Sequence, residues 1–483
     1  MKQTTERNWS IFQRAIFADV AEGEGHVLVR ARAGTGKTTT IVEALRHIPA
    51  GKSAMLVAFN KSIAQELERR APPGVQVRTL HSFGFSALRS AFRTRLDDGK
   101  VDRIARSLFD ENSLRGGVLG NLAKLVSRAK ATLASDELDL DVLVDDLGLD
   151  VPDAQRADFI ERAADILAAC YRDTATCDFD DMIWLAVRHN VRLPLFDYLF
   201  VDETQDLNAA QIELALRAVK RGGRVVAVGD DRQAIYGFRG ADAHAVERIV
   251  ERLSARVLPL SITYRCGKKI VDLARAIVPD YEAAPSAPDG EVLAVNELKL
   301  RAEAAPGDFV ISRKNAPLIG LCLGFLATNK PATIAGRDVG AGLLALVDRS
   351  KATEVRELLA FVEDWRRTEA DRLAARGRDP QAIEDRADCI AALTEGAADV
   401  AEVRARIAAL FTDRDDSPRI VCTTTHKAKG LERNRCWILA DTFTMGGGVE
   451  EDNLWYVAIT RAKSTLCLVG SPRVHEDRRA REA

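Results

Sequence analysis

The chain has 483 residues, 47% of them hydrophobic and 29% charged, with a formal net charge of −2. This length suggests about two to four domains of a soluble globular protein, and no apolar run approaches the roughly 18–20 residues that cross a bilayer. The near-neutral balance excludes a whole-molecule basic field, so a polyanion must be held by a local groove.

In chain order, Met1–Ser10 is polar and lacks the apolar stretch of a secretory signal, which makes the cytoplasm the expected location. Strands are predicted at His26–Ala31, Ala54–Asn60, Val75–Leu80, Tyr198–Glu203 and Arg224–Asp230. Helices lie between them, for example Lys37–His47 and Lys61–Arg70, the latter stopped by Pro72-Pro73-Gly74. Strands alternating with helices predict an α/β fold with a mainly parallel sheet covered on both faces. The same texture returns with strands at Asp308–Arg313, Arg419–Thr424, Arg435–Asp441 and Ser464–Gly470, and helices at Asn315–Leu326 and Glu450–Arg461. Two α/β domains follow, the first from residues 1–90 and 178–258, the second from 259–345 and 417–483. Residues 91–177 and 346–416 are helical and charged, with no clear strand. Structureless loops of that length are uncommon, so each reads as a helical insertion. The eight cysteines are scattered without a CxxC pair or a histidine cluster, so free buried thiols are expected rather than disulfides, zinc or an iron–sulfur cluster.

Ala31-Arg32-Ala33-Gly34-Thr35-Gly36-Lys37-Thr38-Thr39 follows a predicted strand and opens a predicted helix, the setting of a P-loop. Its glycines let backbone N–H groups approach phosphates, and the helix N-terminus adds partial positive charge. Lys37 would bridge the β- and γ-phosphates of ATP and Thr38 would hold Mg²⁺, while Ala31 stands where the strict pattern has its first glycine. Downstream, Tyr198-Leu-Phe-Val-Asp202-Glu203-Thr204-Gln205-Asp206 puts two acids at the end of a hydrophobic strand. In such folds ligands bind at the carboxyl ends of strands. Asp202 suits Mg²⁺, and Glu203 suits the base that orients an attacking water.

With these residues in place the sequence resembles superfamily 1 DNA helicases of the UvrD/Rep/PcrA kind. Asp202-Glu203-Thr204-Gln205-Asp206 is similar to that family's motif II, and Val228 to Asp242, with Asp230-Asp231-Arg232-Gln233 and Tyr236-Gly237-Phe238-Arg239, resembles motif III. Thr263-Tyr264-Arg265 resembles motif IV, Thr424 to Glu432 motif V, and Glu450 to Ala462 motif VI. Gln13 fits the Q motif, Phe59-Asn60-Lys61 motif Ia, Thr79-Leu80-His81-Ser82 motif Ib, and Asp178-Phe179-Asp180-Asp181 a short stretch carried before motif II. The matches run in family order from residue 13 to residue 462 and skip both helical insertions.

The resemblance implies two RecA-like P-loop domains with ATP between them. It implies that Ala33, Gly34, Thr35, Gly36, Lys37, Thr38 and Thr39 cradle the nucleotide with Mg²⁺, that Gln13 reads the adenine edge, that Tyr264 stacks on its face and that Glu432 lies at the ribose side. Gln233 would sense the γ-phosphate, and Arg265 and Arg461 would reach it as arginine fingers, since phosphoryl transfer needs charge neutralisation that a guanidinium supplies. Phe59, Asn60, Thr79, His81, Tyr236, Phe238, Arg239 and His426 would contact DNA. Tyr236 and Phe238, two residues apart, would present a stacking platform worth roughly 1–3 kcal/mol per base. The implied activity is ATP-dependent 3′→5′ movement along single-stranded DNA and unwinding of tailed duplex DNA. The polarity rests on motif III resembling UvrD more than the opposite-polarity branch. An ATP-gated DNA-binding subunit of a nuclease or defence complex is the alternative, and an RNA motor a third. The chain departs from the family in the short interval between motifs IV and V, which leaves a reduced accessory insertion. It also has Arg433 where relatives usually carry an aromatic, and no interaction tail after about residue 471.

Overall fold

The computed structural model describes residues 8–115, 117–149, 151–235, 245–375, 380–411 and 418–474. The chain divides into two compact units at Ser261/Ile262.

The first unit opens with α1 (Ile11–Glu22), β1 (Val27–Ala31), α2 (Lys37–Ala44), β2 (Ala54–Ala58), α3 (Lys61–Arg70), β3 (Val75–Thr79) and α4 (Leu80–Phe92). A helical excursion follows: β4 (Arg95–Leu96), α5 (Lys100–Leu108), α6 (Val118–Thr132), α7 (Glu137–Asp146), α8 (Asp153–Arg172) and β5 (Thr176–Cys177). The chain then returns through α9 (Asp181–Arg188), β6 (Phe196–Val201), α10 (Ala209–Arg217), β7 (Val219–Gly229), α11 (Ala245–Leu253) and β8 (Arg256–Leu260). Six strands form one sheet in the order β3-β2-β6-β7-β1-β8, every pairing parallel. Alternate strand residues serve opposite faces. Val27, Val29, Leu56 and Ala58 pack with Ile16 and Val20 of α1 and Ile41 of α2. Leu28, Met55 and Val57 point the other way and join Ile104, Leu122, Leu125 and Ile166 of the helical excursion. Each such side chain, fully buried, contributes about 1.5–3 kcal/mol. The excursion therefore shares a core with the sheet. Within the same core α4 and α9 approach closely at Gly84, where a Cβ would stand 2.1 Å from the Met182 carbonyl oxygen.

Two lysines from the excursion end in this interior. Lys100 Nζ lies 2.7 Å from Asp181 Oδ2, and Lys130 Nζ lies 2.8 Å from Asp181 Oδ1 and 2.5 Å from Asp178 Oδ2. Lys100 also donates to the carbonyls of Cys170, Asp173 and Thr176. Both lysines and Asp181 are fully buried. The cluster ties α5 and α6 to the segment preceding β6.

The second unit comprises β9 (Ile262–Thr263), α12 (Lys268–Ala274), β10 (Glu282–Ala283), β11 (Glu291–Val295), α13 (Glu297–Glu303), β12 (Phe309–Ser312), α14 (Ala316–Ala327) and β13 (Ala332–Ile334). Four helices follow, α15 (Arg337–Ser350), α16 (Val355–Ala375), α17 (Gln381–Thr394) and α18 (Val400–Leu410). The rest is β14 (Ile420–Thr424), α19 (Thr425–Ala428), β15 (Arg433–Leu439), β16 (Thr444–Met445), α20 (Val449–Ile459), β17 (Ala462–Val469) and β18 (Arg473–Val474). Its main sheet, β11-β17-β15-β12-β14-β13, is again wholly parallel. Val310, Ile334 and Cys422 of the sheet share one apolar cluster with Leu346, Leu358, Ile390 and Val403 of the four helices. The buried Trp437 indole donates to Asp308 Oδ2 at 3.0 Å, which satisfies a polar group inside that core. All eight cysteines are buried as free thiols.

Several elements depart from the sequence reading. Strands β8, β11 and β13 fall outside the predicted strands. β8 contains Pro259, tolerated because the strand lies at the sheet's edge. β11 is also an edge strand and largely exposed, and β13 has only three residues. β8 carries Pro259 and Leu260 into the first sheet, two residues past the expected boundary. The excursion, read as lacking strands, is closed at its base by the two-residue ladder of β4 with β5, too short to leave a periodic signal. The helix expected to reach His47 is α-helical to Ala44 and ends in a 3₁₀ turn over Leu45–His47.

Removing one partner of a buried ion cluster strands the other charges. Lys130→Met is expected to destabilise the protein by about 3–5 kcal/mol, read as a lower urea midpoint. An unchanged midpoint would mean that Lys100 alone neutralises Asp178 and Asp181.

Candidate nucleotide and nucleic-acid sites

Because β1, β7 and β6 are parallel neighbours, the loops after them lie side by side along one edge of the first sheet. The loop after β1 holds Gly34 and Gly36 at φ +70° and +79°, left-handed conformations that favour glycine. Gly36 caps α2, so the backbone N–H groups of the first helical turn are free of intrahelical partners there. Lys37, the first residue of α2, reaches Glu203 Oε2 at 2.8 Å in the loop after β6. Burial alone would lower the Lys37 pKa, but Glu203, Asp230 and Asp202 outweigh it and the net direction is upward. Glu203 itself sits at φ 49°, ψ 45°. A left-handed glutamate is a strained backbone state, of order 1–3 kcal/mol, of the kind that clusters at functional sites.

Gln205 joins the loops. Its Nε2 donates to Glu203 Oε2 at 2.6 Å, and its Oε1 accepts from the Asp230 backbone N–H at 3.0 Å after β7. Gln233 donates to Asp230 Oδ2 at 2.6 Å. Arg32, inside the glycine-rich loop, pairs with Asp230 at 3.2 Å and Asp231 at 2.5 Å. Asp202 is buried, and burial together with neighbouring Glu203 pushes its pKa up to about 7. Gln205, Asp230 and Arg32 had no assigned role in the sequence. Their signal was position inside the motif blocks, which says nothing of which side chains touch.

The other predicted nucleotide residues of this unit occupy the same end of the sheet. Ala33 is buried, and Thr35 donates its hydroxyl to the Arg32 carbonyl at 2.8 Å. Thr38 and Thr39 lie in the first turn of α2, where Thr39 Oγ1 accepts from Arg70 at 3.4 Å. Gln13 is buried, and both ends of its amide are engaged. Oε1 accepts from the Ser10 N–H at 3.0 Å, and Nε2 donates to Thr40 Oγ1 at 2.9 Å. Adenine recognition by Gln13 would have to share or replace those bonds. No group of three or more His, Cys, Asp or Glu capable of holding a metal ion occurs among the described residues. Mg²⁺ does not need one, since it keeps waters and uses one or two protein ligands beside phosphates. Thr38 and the buried Asp202 fit that demand.

Of the predicted strand-contacting residues, Phe59 is exposed after β2. Asn60 caps α3 by accepting from Ile63 N–H at 2.9 Å, and Thr79 caps α4 by accepting from Ser82 N–H at 3.2 Å, so both hydroxyl or amide oxygens already serve helix ends. His81 stacks on Phe179, with ring centroids 4.0 Å apart, and burial pushes its pKa down to about 4. Phe179 keeps 58% of its surface exposed. It was given no role in the sequence, although a lone aromatic among three aspartates was the visible sign. Tyr236, Phe238 and Arg239 lie outside the described residues.

In the second unit Tyr264 is half exposed, after β9. Arg265 meets Glu432 Oε2 at 2.5 Å and donates to the Thr460 carbonyl at 3.2 Å, while Lys463 takes the other Glu432 oxygen at 2.6 Å. Arg461 is buried, donating to the Val457 and Leu431 carbonyls and to Thr460 Oγ1. Burial and the nearby Arg265 push its pKa down to about 10, so it stays charged at neutral pH. A guanidinium has five N–H donors, so these bonds leave some unspent. Glu432 thus links Arg265 and Lys463. His426 lies on α19, just after β14. Arg433 holds its guanidinium 4.6 Å from the centre of the Phe309 ring, a cation–π contact.

A model of the UvrD/REP helicase N-terminal domain matches residues 13–253, and a model of the UvrD-like helicase C-terminal domain matches residues 347–471. The chain belongs to the UvrD/Rep/PcrA-like superfamily 1 helicases. As a UvrD-like chain, its two parallel-sheet units correspond to the family's two RecA-like domains. It is similar to the ATP-dependent DNA helicase Rep of Escherichia coli, 27% identical over 288 residues that cover 53% of this chain and 41% of that protein. It is also similar to the ATP-dependent DNA helicase PcrA of Bacillus subtilis, 26% identical over 297 residues, covering 53% and 38%. Similarity to F-box DNA helicase 1 of Gallus gallus is lower, 24% over 507 aligned residues, but covers 92% of this chain and 47% of that protein. The chain thus spans less than half the length of each of these curated relatives. Tyr264 and Arg265 fall between the two matched spans. No helix among the described residues is long and apolar enough to cross a membrane.

The half-buried stack fixes a pH prediction. With its pKa near 4 in the fold against about 6.5 unfolded, His81 should show no NMR titration between pH 8 and pH 5.5. Its contribution to stability is full above about pH 6.5 and falls as pH drops towards 4. A midpoint near 6.5 would mean the Phe179 stack is open in solution.

Proposed function

We propose that the chain hydrolyses ATP and uses it to move 3′→5′ along single-stranded DNA and to unwind tailed duplex DNA. The observation that carries this reading is the partly buried Lys37–Glu203 pair at 2.8 Å, where the glycine-rich loop meets the strand-ending acid pair. A lysine and a carboxylate held together there can separate when phosphates arrive, because the phosphate charge competes for Lys37. That exchange frees Glu203 to orient a water for attack. Mg²⁺, held by Thr38 and Asp202, would neutralise phosphate charge. Gln205 and Gln233 pass the state of that site to Asp230 and so to motif III, which begins the assigned strand-binding segment Tyr236, Phe238 and Arg239. Arg265 and Arg461 are assigned to the γ-phosphate and Tyr264 to the base. Arg265 is the freer of the two arginines, since Glu432 is its exchangeable partner.

On the DNA side, the exposed rings of Phe59 and Phe179 supply sequence-tolerant stacking. His81 acts as the neutral support of Phe179. The polarity rests on the form of motif III, Tyr236-Gly237-Phe238-Arg239-Gly240-Ala241-Asp242. In this proposal the helices of residues 91–177 and 346–416 are insertions in the two RecA-like domains, and the second stands for a reduced accessory domain.

The test is ATP turnover with and without single-stranded DNA, followed by unwinding of 3′- and 5′-tailed duplexes. DNA-stimulated turnover and opening of the 3′-tailed substrate are expected. Turnover indifferent to DNA would remove the motor reading. Glu203→Gln should cut turnover by about 10²–10⁴-fold while ATP and DNA still bind, and Lys37→Ala should cut it about 100-fold or more. Normal hydrolysis by the Glu203 variant would move the base elsewhere.

A further inference from the structure

Away from the sheet edge, the helical excursion of the first unit carries a cavity of about 810 Å³ that the ATP and DNA roles leave unused. Leu138, Leu140, Leu167, Tyr171 and Trp184 line it, from the start of α7, the C-terminal part of α8 and α9. The lining is apolar, yet not closed. Leu138 is 78% exposed, and Val142, one helical turn along α7, is exposed beside it. An i, i+4 pair of bare aliphatic side chains on a short helix is an unpartnered apolar stripe. Trp184 is buried, and its indole N–H has no hydrogen-bond partner among the described residues. A buried donor without an acceptor is a cost to folding, so this floor is not arranged for stability alone.

Charge decides what fits. Asp136 and Glu137 stand at the rim, and Asp139, Asp141, Asp145 and Asp146 continue along the same helix. Arg156 answers Asp141 and Asp145. Arg188, also at the rim, donates to the Ala134 carbonyl at 2.6 Å and keeps its charge. Asp136 and Glu137 outnumber it at the rim, and the aspartates along α7 add to them, a balance that disfavours nucleic-acid phosphates and anionic lipid headgroups. An apolar trough with an acidic edge matches a helix that places leucine or aromatic anchors on one face and lysine or arginine beside them.

We propose that this trough on α7, α8 and α9 is a docking site for a basic amphipathic helix of a partner protein. The site is independent of ATP turnover, since none of its lining residues belongs to the nucleotide or strand-contacting sets.

The test selects a displayed library of random 12-residue peptides on the full chain, with counter-selection on Ala168→Trp. Ala168 is an exposed residue of the cavity wall, so the indole fills the trough without entering the core. Enriched peptides should carry apolar anchors with lysine or arginine, and a labelled copy should bind at least about tenfold more weakly to Ala168→Trp. Leu138→Glu, at a surface position, should weaken it to a similar degree, and both variants should keep the DNA-stimulated ATPase of the parent chain. Failure to enrich peptides sensitive to both variants, or enrichment of acidic peptides, overturns the proposal. So does a duplex oligonucleotide whose affinity falls with Ala168→Trp, which would make the trough a DNA contact. A concentration-dependent dimer lost in Ala168→Trp would make the occupant a second copy of this chain, and would equally overturn it.

Discussion

One ion pair at the sheet's edge holds the first unit's strand-end loops together. Lys37, at the start of α2, and Glu203, in the loop after β6, meet partly shielded from water, in the company of buried Asp202 and Asp230. Three carboxylates so close, two of them buried, would repel one another without a cation among them. Among the described residues Lys37 and Arg32 answer them. The same electrostatics explains why Asp202 is driven towards the neutral form, with burial the larger cause and Glu203 the next. A site with this charge pattern is ready for a divalent cation and unready for bare phosphate, and nucleotide delivered with its metal satisfies both conditions.

The parallel sheet is what makes that pair possible. Parallel pairing sends every strand's carboxyl end to one edge, and the order β6-β7-β1 puts the acid pair, the Asp230 loop and the glycine-rich loop next to each other. Gln205 then needs only one side chain to tie Glu203 of its own loop to Asp230 of the next. The left-handed Glu203 records the strain of turning a strand end sharply enough to aim its side chain at Lys37.

Much of this was legible in the sequence because it is local. A strand, a glycine-rich turn and a helix start form one contiguous signal, and so does a hydrophobic strand ending in Asp202-Glu203. The long alternation of apolar strands and amphipathic helices similarly announced two α/β units. What stayed hidden depends on contacts between distant segments. Gln205 is an ordinary glutamine until β7 is laid beside β6. Phe179 is one aromatic among aspartates until His81 stacks on it. Edge strands such as β8 and β11 bury too little to show a pattern, and Pro259 argues against a strand unless its edge position is known. The capping duties of Asn60 and Thr79 are the local signal at those positions, a polar residue directly before a helix start.

Because the sheet and the helices of α5 to α8 are built around a single apolar interior, the excursion cannot be treated as a detachable module. Excising it would uncover the apolar faces of α9 and α10 that α6 packs against and would strand Asp178 and Asp181 without their lysines. A shorter chain cut from this protein, or a chimera that swaps these helices with those of a relative, would need redesigned faces on α9 and α10 and a replacement for both buried cations before the edge that holds Lys37 and Glu203 could form.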